Sequence, residues 1–459
     1  MTLPELLSPA GSLQSMRYAF AYGADAVYAG QPRYSLRARN NEFSTLSAIE
    51  EGINEAHRQN KRFLIANNIA PHNAKIKTYL NDLAPVLELK PDALIMSDPG
   101  MMMMVREAYP DQEIHLSVQM NTVNYQSVRF WHKTLGIKRV ILSRELSLKE
   151  IEEIKAECPE VELEVFVHGS LCMAYSGRCL LSGYMKHRDP NQGVCNNACR
   201  NSYKVQEATE DEWGNVEAVE NPTLGIGEPS KKIVLLESDK DPGKLSPMFE
   251  DEHGTYIMNS KDLRAIHHVE TLTKAGVECF KIEGRTKSFF YAARTAQLYR
   301  KAIDDAVAGR PFDINLIETL EGLANRGYTE GFFRRHVHDE YQKYENSNSK
   351  SKSQQFVGEI TDYNSQTGKI EVNVRNRFSI GDKIEIMLPS GSRFITLNNM
   401  QDQHGNEMET AKGSGYIAHI HLDEKLSDED QKYAMLIRHF DQEEITQSNK
   451  SKVQEFQPV

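Results

Sequence analysis

Four of the six cysteines in this 459-residue chain lie close together, at Cys172, Cys179, Cys195 and Cys199. Thiolates are the usual protein ligands of iron-sulfur clusters and of many zinc sites, and four of them complete either kind of centre. The residue types therefore predict a metal or iron-sulfur centre in this stretch of the chain.

The spacing of these cysteines favours an iron-sulfur cluster over zinc. Six residues separate Cys172 from Cys179 and three separate Cys195 from Cys199, whereas paired zinc ligands are commonly two residues apart. The wider spacings suit the looser arc of chain around a cubane cluster. A zinc site and the absence of any metal stay open as alternatives. The remaining cysteines, Cys158 and Cys279, stand apart from the four and are expected to be structural.

Polar and charged residues follow the predicted strands of the first 290 residues. Short apolar or β-branched runs alternate there with longer amphipathic stretches, which is typical of βα units around parallel strands. The nine strand candidates are residues 6–7, 26–29, 62–67, 93–96, 114–118, 139–142, 163–167, 256–258 and 279–282. A TIM-barrel-like (β/α)8 domain needs eight strands, and its active site lies where their C-terminal ends meet. The pattern therefore predicts such a barrel with a polar pocket at that face.

Four cations at these strand ends are candidate substrate-binding residues: Arg33, Arg144, Lys261 and Arg285. A guanidinium group can bind a carboxylate or a phosphate through two hydrogen bonds, although each cation could equally form a structural ion pair. His168 is a candidate catalytic acid or base because an unperturbed imidazole titrates near neutral pH. A histidine packed in the core is an equally good interpretation of that residue.

The pattern divides the chain into two domains. Residues 1–340 form the predicted barrel domain, with helices expected at 289–308 and 316–323 and a cysteine-bearing insertion at about 170–255. Residues 341–355 are polar and of low complexity, and they are predicted to be a linker. Residues 356–440 show short period-two strands, which predict a small antiparallel β-barrel, and residues 441–459 are a polar tail predicted to be disordered.

Composition limits the classes of partner. The formal net charge of -11 argues against indiscriminate nucleic-acid binding, although residues 172–204 are locally basic. No apolar run approaches the length of a membrane span, and the N-terminus lacks the features of a signal peptide. We therefore expect a cytoplasmic protein with no membrane association, in a compartment where clustered thiols favour metal or redox chemistry over disulfides.

Residues 164–182, which read EVFVHGSLCMAYSGRCLLS, resemble the signature of the U32 peptidase family. The runs PELLSPAG at 4–11, ADAVYAG at 24–30 and KIEGR at 281–285 fit the same family, so the resemblance extends from residue 4 to about residue 438. The similarity is strongest to a branch of the family that modifies tRNA.

This resemblance implies an activity that the residues alone do not. It implies oxygen-independent hydroxylation at C5 of the wobble uridine of tRNA, with prephenate as the hydroxyl source. It also implies a [4Fe-4S] cluster held by Cys172, Cys179, Cys195 and Cys199. The expected partners are a tRNA anticodon loop and an electron donor protein. An unpaired loop is usually bound by cations and stacking aromatic rings, for which the candidates are Tyr28, Tyr34, Tyr175 and Tyr184.

Two alternatives follow from the same residues. The first is a collagenase-like peptidase, for which Cys172 near His168 is the only nearby pair of a thiol and a base. The sequence contains neither the His-Glu-x-x-His motif of zinc peptidases nor the Gly-x-Ser-x-Gly motif of serine hydrolases. The second alternative is a non-catalytic scaffold that carries an iron-sulfur cluster or binds RNA for another protein.

Overall fold

The computed structural model describes residues 3–36, 42–171, 262–323, 325, 327–334, 354–422 and 425–440, together with the backbone of six strands between residues 203 and 255. The strands of the N-terminal part are β1 (Glu5–Pro9), β2 (Ala26–Gly30), β3 (Arg62–Asn67), β4 (Ala93–Met96), β5 (Ile114–Leu116), β6 (Arg139–Ile141), β7 (Glu162–Ser170), β8 (Tyr203–Glu210), β9 (Val216–Ala218), β10 (Val234–Ser238), β11 (Asp241–Met248), β12 (Glu250–Asp251), β13 (Gly254–Thr255), β14 (Asp262–Arg264), β15 (Cys279–Ile282) and β16 (Tyr328–Thr329).

Eight parallel strands close into a barrel. Strands β1 to β7 pair in sequence order, and β15 pairs with both β7 and β1 to complete the ring. Cys279 in β15 is in register with Glu5 on one side and with Glu164 on the other. The predicted TIM-barrel-like fold is confirmed, and eight of the nine strand candidates form its strands. The ninth candidate, at 256–258, lies outside the described residues.

Two further strands extend the barrel sheet beside β7. Strand β14 runs antiparallel to the end of β7, with Arg264 opposite His168, and β16 runs parallel to β14. Within the insertion, β11, β10, β8 and β9 form a four-stranded sheet, and β12 pairs with β13.

Helices follow most of the strands and cover the outside of the barrel. They are α1 (Leu13–Ala21), α2 (Leu46–Arg58), α3 (Asn73–Ile76), α4 (Tyr79–Glu88), α5 (Pro99–Ala108), α6 (Tyr125–Leu135), α7 (Leu148–Glu157), α8 (Val269–Lys274), α9 (Phe289–Val307) and α10 (Asn315–Glu321), with 3-10 turns at Val118–Met120 and Ile266–His268. A further helix, α11 (Asp428–Tyr433), belongs to the C-terminal part. The predicted helices at 289–308 and 316–323 agree with α9 and α10 to within two residues. None of the described helices is both long enough and apolar enough to cross a bilayer.

Side-chain caps fix where several helices begin. Ser12 accepts a hydrogen bond from the Ser15 amide, and Ser147 forms a capping box with Glu150 at the start of α7. A cap satisfies an amide that has no partner in the first turn of a helix. Because each cap comes a few residues after a strand, the loop between them is short and its polar side chains stay at the rim of the barrel.

The C-terminal part is an antiparallel sheet with its own apolar core. Its strands are β17 (Gln354–Asn364), β18 (Lys369–Val374), β19 (Phe378–Ser379), β20 (Lys383–Met387), β21 (Arg393–Thr396), β22 (Gln401–Asp402), β23 (Thr410–Ala411), β24 (Ile417–His421) and β25 (Met435–His439). Seven of them form a curled sheet in the order β21, β20, β25, β17, β18, β24 and β22. The predicted small antiparallel β domain is therefore present.

This β domain packs firmly on helices α1 and α9 of the barrel. Arg294 of α9 makes two hydrogen bonds of 2.7 Å to the carboxylate of Glu385, and both side chains are 2% exposed. His439 lies 2.8 Å from the same carboxylate. The Tyr22 hydroxyl lies 2.9 Å from the carbonyl oxygen of Met387, so polar contacts as well as apolar ones fix the two parts relative to each other.

Candidate active site at the barrel mouth

Arg144, predicted as a substrate-binding residue, lies over an aromatic ring where β6 and β7 end. Its guanidinium carbon is 3.9 Å from the centre of the Phe166 ring, and Nη1 donates to the carbonyl oxygen of Ser170 at 2.8 Å. Its Nε is buried and has no hydrogen-bond acceptor among the described residues. A buried donor usually has a hydrogen-bond partner, so this guanidinium is a candidate contact for a ligand.

Lys281 and Glu164 form an ion pair inside the barrel below Arg144. Lys281 Nζ lies 2.6 Å from Glu164 Oε1, and the two side chains are 4% and 0% exposed. The ammonium group also lies 4.4 Å from the centre of the Tyr28 ring and 5.4 Å from that of Phe166. The sequence analysis did not select Lys281 or Glu164, although a charge in the middle of an apolar strand is a signal that could have found them.

Arg285, another predicted substrate-binding residue, reaches the same place from the end of β15. Its Nη1 donates to Ser35 Oγ at 2.8 Å, and its guanidinium carbon lies 5.6 Å from the Tyr28 ring centre. Burial raises the pKa of Tyr28, while Arg285 and Arg144 both oppose that rise. The two guanidinium groups are therefore near the same buried ring. Gly30 has no side chain, which leaves room for the Arg285 guanidinium, since a Cβ there would lie 2.7 Å from Arg285 Nη1.

A chain of ion pairs connects Glu164 with charged residues at the opposite end of the barrel. Arg139 Nη1 lies 2.6 Å from Glu5 Oε1 and 3.8 Å from Glu164 Oε2. Arg62 binds the other oxygen of Glu5 at 2.9 Å. Burial alone would raise the pKa of Glu5, but Arg139 and Arg62 lower it to about 2, so the carboxylate is ionised at neutral pH. Alternating charges thus run from Glu5 through Arg139 and Glu164 to Lys281.

His168, the predicted acid or base, lies in the core rather than in an open pocket. Its ring is packed among Tyr291, Tyr299 and Tyr328 at centroid distances of 5.8, 5.5 and 5.4 Å. Burial lowers the pKa of His168 to about 3, so the ring is neutral at physiological pH. This environment favours the interpretation of a packed core histidine, and the catalytic role stays a prediction.

Arg33 is at the rim and already has a carboxylate partner. Its Nη1 lies 2.8 Å from Asp82 Oδ2, and 58% of its side chain is exposed. Tyr34 beside it is buried and donates to Asp82 at 2.6 Å, so it presents no open stacking face. Lys261, Tyr175 and Tyr184 lie outside the described residues.

The four predicted cluster ligands, Cys172, Cys179, Cys195 and Cys199, also lie outside the described residues. The chain leads to them directly from the mouth, because β7 ends at Ser170, whose carbonyl oxygen binds Arg144. The two remaining cysteines, Cys158 and Cys279, are free thiols buried in the core, as expected for structural residues. Burial raises the pKa of both thiols, so neither is a ready metal ligand or nucleophile.

The mouth therefore gathers three cations and two aromatic rings. Arg144, Lys281 and Arg285 surround the rings of Phe166 and Tyr28, and Glu164 is already paired with Lys281. Guanidinium groups bind carboxylates and phosphates through paired hydrogen bonds, and the rings offer flat apolar faces. The arrangement suits a small organic anion with an unsaturated ring or a phosphate-bearing ligand.

The sequence matches two family profiles along most of its length. The profile of peptidase family U32 matches residues 11–343, and that of the peptidase family U32 C-terminal domain matches residues 352–438. The chain belongs to peptidase family U32. Within this U32 protein, the first match covers the barrel with its mouth and the second covers the antiparallel sheet.

Several curated relatives of this U32 protein are similar over nearly their whole length. It is 60% identical to "tRNA hydroxylation protein P" of Escherichia coli (strain K12), over 96% of this chain and 98% of that one. It is 57% identical to the protein of the same name from Haemophilus influenzae, over 95% of this chain and 96% of that one. A protein named "Collagenase" from Porphyromonas gingivalis is 29% identical over 84% of this chain and 87% of that one.

Proposed function

We propose that this protein is a tRNA-modifying enzyme that hydroxylates tRNA. The observation that carries the proposal is its 60% identity to a tRNA hydroxylation protein over 96% of the chain. The mouth of the barrel supports it, because a chain with a formal net charge of -11 places cations and aromatic rings together at the end where barrel enzymes bind their substrates.

The specific reaction that we propose is oxygen-independent hydroxylation at C5 of the wobble uridine, in the cytoplasm, with prephenate as the source of the hydroxyl group. Prephenate carries one carboxylate on an unsaturated ring and a second on the pyruvyl side chain of that ring. Arg144 and Arg285 offer one guanidinium for each carboxylate, and the rings of Tyr28 and Phe166 lie beside both. Lys281 lies beside the same rings, but its charge is compensated by Glu164. These residues would bind and orient the anion and exclude water from it.

A [4Fe-4S] cluster on Cys172, Cys179, Cys195 and Cys199 is part of the proposal. The donor set fits by its chemistry, since four thiolates complete such a cluster and the other two cysteines, Cys158 and Cys279, are buried in the core. When bound, such a cluster supplies one-electron transfer. Replacing a C5 hydrogen by a hydroxyl group removes two electrons from the base. An acceptor must take up these electrons, and we propose that an electron-transfer protein serves as this acceptor, in place of the electron donor expected from the sequence. Zinc in the same thiolate site remains the alternative.

The tRNA would contact the chain through its anticodon loop. The basic stretch at 172–204 follows β7, which ends at the mouth, so it could supply phosphate contacts next to the pocket. Arg33 at the rim is exposed enough to exchange Asp82 for a phosphate. The unpaired base is accessible without opening a duplex, which suits an enzyme that modifies a wobble position.

The test is a reconstituted reaction. Anaerobically purified protein, loaded with iron and sulfide, is incubated with prephenate and tRNA that lacks the modification, with and without a chemical redox mediator. Digested nucleosides are then analysed by mass spectrometry for uridine with one added oxygen. Formation of this nucleoside only when prephenate is present supports the proposal. If cluster-loaded protein binds tRNA but forms no hydroxylated nucleoside under either redox condition, the enzymatic proposal is wrong and the scaffold interpretation is favoured.

A peptidase activity is the second candidate, because of the relative named "Collagenase". Cys158 and Cys279 are buried, so a thiol mechanism would depend on the four cysteines at 172–199. Release of peptides from denatured collagen by the purified protein, lost in Cys172→Ala, would support this candidate.

A further inference from the structure

Two histidines and a glutamate converge beside the strands that extend the barrel sheet next to β7. His267 and His268 belong to the 3-10 turn that precedes α8, and Glu330 follows β16. Strand β16 runs parallel to β14, with Asp262 opposite Tyr328 and Leu263 opposite Thr329. The chain folds so that the residue after β16 faces the turn that comes after β14.

The side-chain atoms of these three residues point at a common centre. Nε2 of His267 lies 3.0 Å from Glu330 Oε2, and Nε2 of His268 lies 2.9 Å from the same oxygen. All three potential ligand atoms lie within 4.8 Å of one another. A zinc-like ion binds nitrogen and oxygen at about 2.0–2.2 Å, so neighbouring ligand atoms are roughly 3–4 Å apart around it. Small side-chain movements would therefore bring all three onto one ion.

Neighbouring residues orient these three side chains through a hydrogen bond and packing, as is usual around metal ligands. Arg334 Nε binds Glu330 Oε1 at 2.6 Å and leaves Oε2 facing the two imidazoles. His268 packs against Phe333 at a ring-centroid distance of 5.6 Å. Both Glu330 and His268 are 7% exposed, so two ligands are fixed in the core. His267 is more accessible, which leaves one side of the cluster open to water. An outer hydrogen bond that orients a ligating carboxylate is typical of protein metal sites.

We propose that His267, His268 and Glu330 form a binding site for one divalent transition-metal ion of the zinc class. Two imidazoles and one carboxylate suit zinc, iron(II) or cobalt(II), with water completing the coordination. The ion ties the segment after β16 to the turn before α8, next to the strands that extend the barrel beyond β7. This site uses nitrogen and oxygen ligands and is separate from the proposed thiolate cluster.

The first experiment compares metal binding by matched full-length variants. Wild type, His267→Gln and Glu330→Gln are treated with chelator, titrated with Co²⁺, passed through a desalting column and analysed for metal per chain. All three proteins keep the same cysteines, so any thiolate-bound cobalt is common to them and cancels in the comparison. We expect wild type to hold about one more ion per chain than either variant, with a visible cobalt absorption typical of nitrogen and oxygen ligands.

The control is His57→Gln, which removes a more exposed histidine that lies 3.0 Å from Asp92. It should keep the wild-type metal content, because that pair lacks a second imidazole. Circular dichroism shows whether each variant is folded.

A thermal unfolding measurement gives a second readout, made in a Cys172→Ala, Cys195→Ala background so that Zn²⁺ bound by the four cysteines does not contribute. Zn²⁺ should raise the thermal midpoint of this protein in a concentration-dependent way, and a chelator should reverse the rise, since an ion that binds only the folded state stabilises it. His267→Gln is compared in the same background. Because His267 is only partly buried, His267→Gln is the variant most able to fold. The thermal midpoint of this variant should respond less to Zn²⁺. Equal cobalt content in wild type and the folded variants, with equal responses to Zn²⁺, would overturn the proposal and leave a purely hydrogen-bonded cluster.

Discussion

Lys281 Nζ donates to Glu164 Oε1 over 2.6 Å inside a closed barrel, where both side chains are almost fully shielded from water. The pair joins the ion-pair chain that begins at Glu5 to the ring of Tyr28 at the mouth. The interior of this barrel is thus charged along part of its length, and the charges are compensated in pairs.

Breaking this pair should strongly destabilise the protein. Lys281→Met leaves the buried carboxylate of Glu164 without its ammonium partner, and loss of one member of a buried pair costs about 3–5 kcal/mol. The double variant Lys281→Met, Glu164→Gln should recover part of that loss because no unpaired charge remains. Urea unfolding measures both. Lys274→Met, which breaks an exposed pair with Glu270, should cost less than about 1 kcal/mol. Equal effects of Lys281→Met and Lys274→Met would contradict the burial argument.

Arg144 should matter for binding the small anion, and Arg33 should not. Arg144→Gln removes the partly buried guanidinium beside Phe166, so we expect the KM for prephenate to rise roughly 10- to 100-fold, as for loss of one charged hydrogen-bonding group. Arg33→Gln serves as the control because that side chain is exposed and paired with Asp82. Steady-state kinetics separate the two, with prephenate varied at saturating tRNA and then tRNA varied at saturating prephenate. A rise in the KM for tRNA alone in Arg144→Gln would instead place this residue in RNA binding.

Gly30→Ala tests the placement of Arg285 without changing a charge. The added methyl group would meet Arg285 Nη1 and Ser35 Oγ, each at 2.7 Å, and would push the guanidinium away from Tyr28. We expect the KM for prephenate to rise at least about tenfold with little change in the thermal midpoint, since a 1 Å misplacement is costly for function. Gly100→Ala in the first turn of α5 adds the same group beside Asp98 Oδ1 at 3.2 Å, with no arginine near it among the described residues, and should behave like wild type. An unchanged KM in Gly30→Ala would show that Arg285 does not contact the anion.

His168 should influence stability in acid rather than the pH dependence of catalysis. Its pKa is lowered to about 3 in the folded protein by burial, below the ordinary value of 6.5, so the unfolded chain takes up a proton first as the pH falls. The stabilising contribution is complete above pH 6.5 and is lost between pH 6.5 and 3. Unfolding free energies of wild type and His168→Phe, measured at several pH values, should converge as the pH decreases through this window.

The pH dependence of kcat/KM gives the result that would contradict this prediction. An inflection near pH 6.5 in kcat/KM that is present in wild type and absent in a folded His168 variant would support the catalytic role and contradict the assignment as a core residue.

The cysteine cluster can be tested by spectroscopy on purified protein. Cys172→Ala and Cys195→Ala should each lose the visible absorbance and the bound iron and sulfide of the anaerobically purified wild type, which we expect to contain about four irons per chain. Cys158→Ala should keep them because that thiol is buried in the apolar core. Colourless wild-type protein that contains zinc would favour the zinc alternative and remove the redox step from the proposed function.

The sequence by itself determined the barrel and the antiparallel domain. Period-two and amphipathic patterns are local, so strands such as Arg62–Asn67 and helices such as Phe289–Val307 could be read from neighbouring residues. The resemblance at residues 164–182 pointed to the family in the same way, because a motif is a property of consecutive residues. Arg144 and Arg285 were found because cations after strand ends are unusual in simple turns.

The tertiary structure decided which of these residues lie together and which partners surround each one. Lys281 and Glu164 are 117 positions apart, and only the closure of β15 on β7 makes them a buried pair. His168 and Arg33 follow strands as Arg144 does, but packing among tyrosines surrounds the first and Asp82 neutralises the second. The His267, His268 and Glu330 cluster depends on the pairing of β14 with β16. Burial and charge compensation depend on contacts between distant segments, and a local pattern of residues does not encode them.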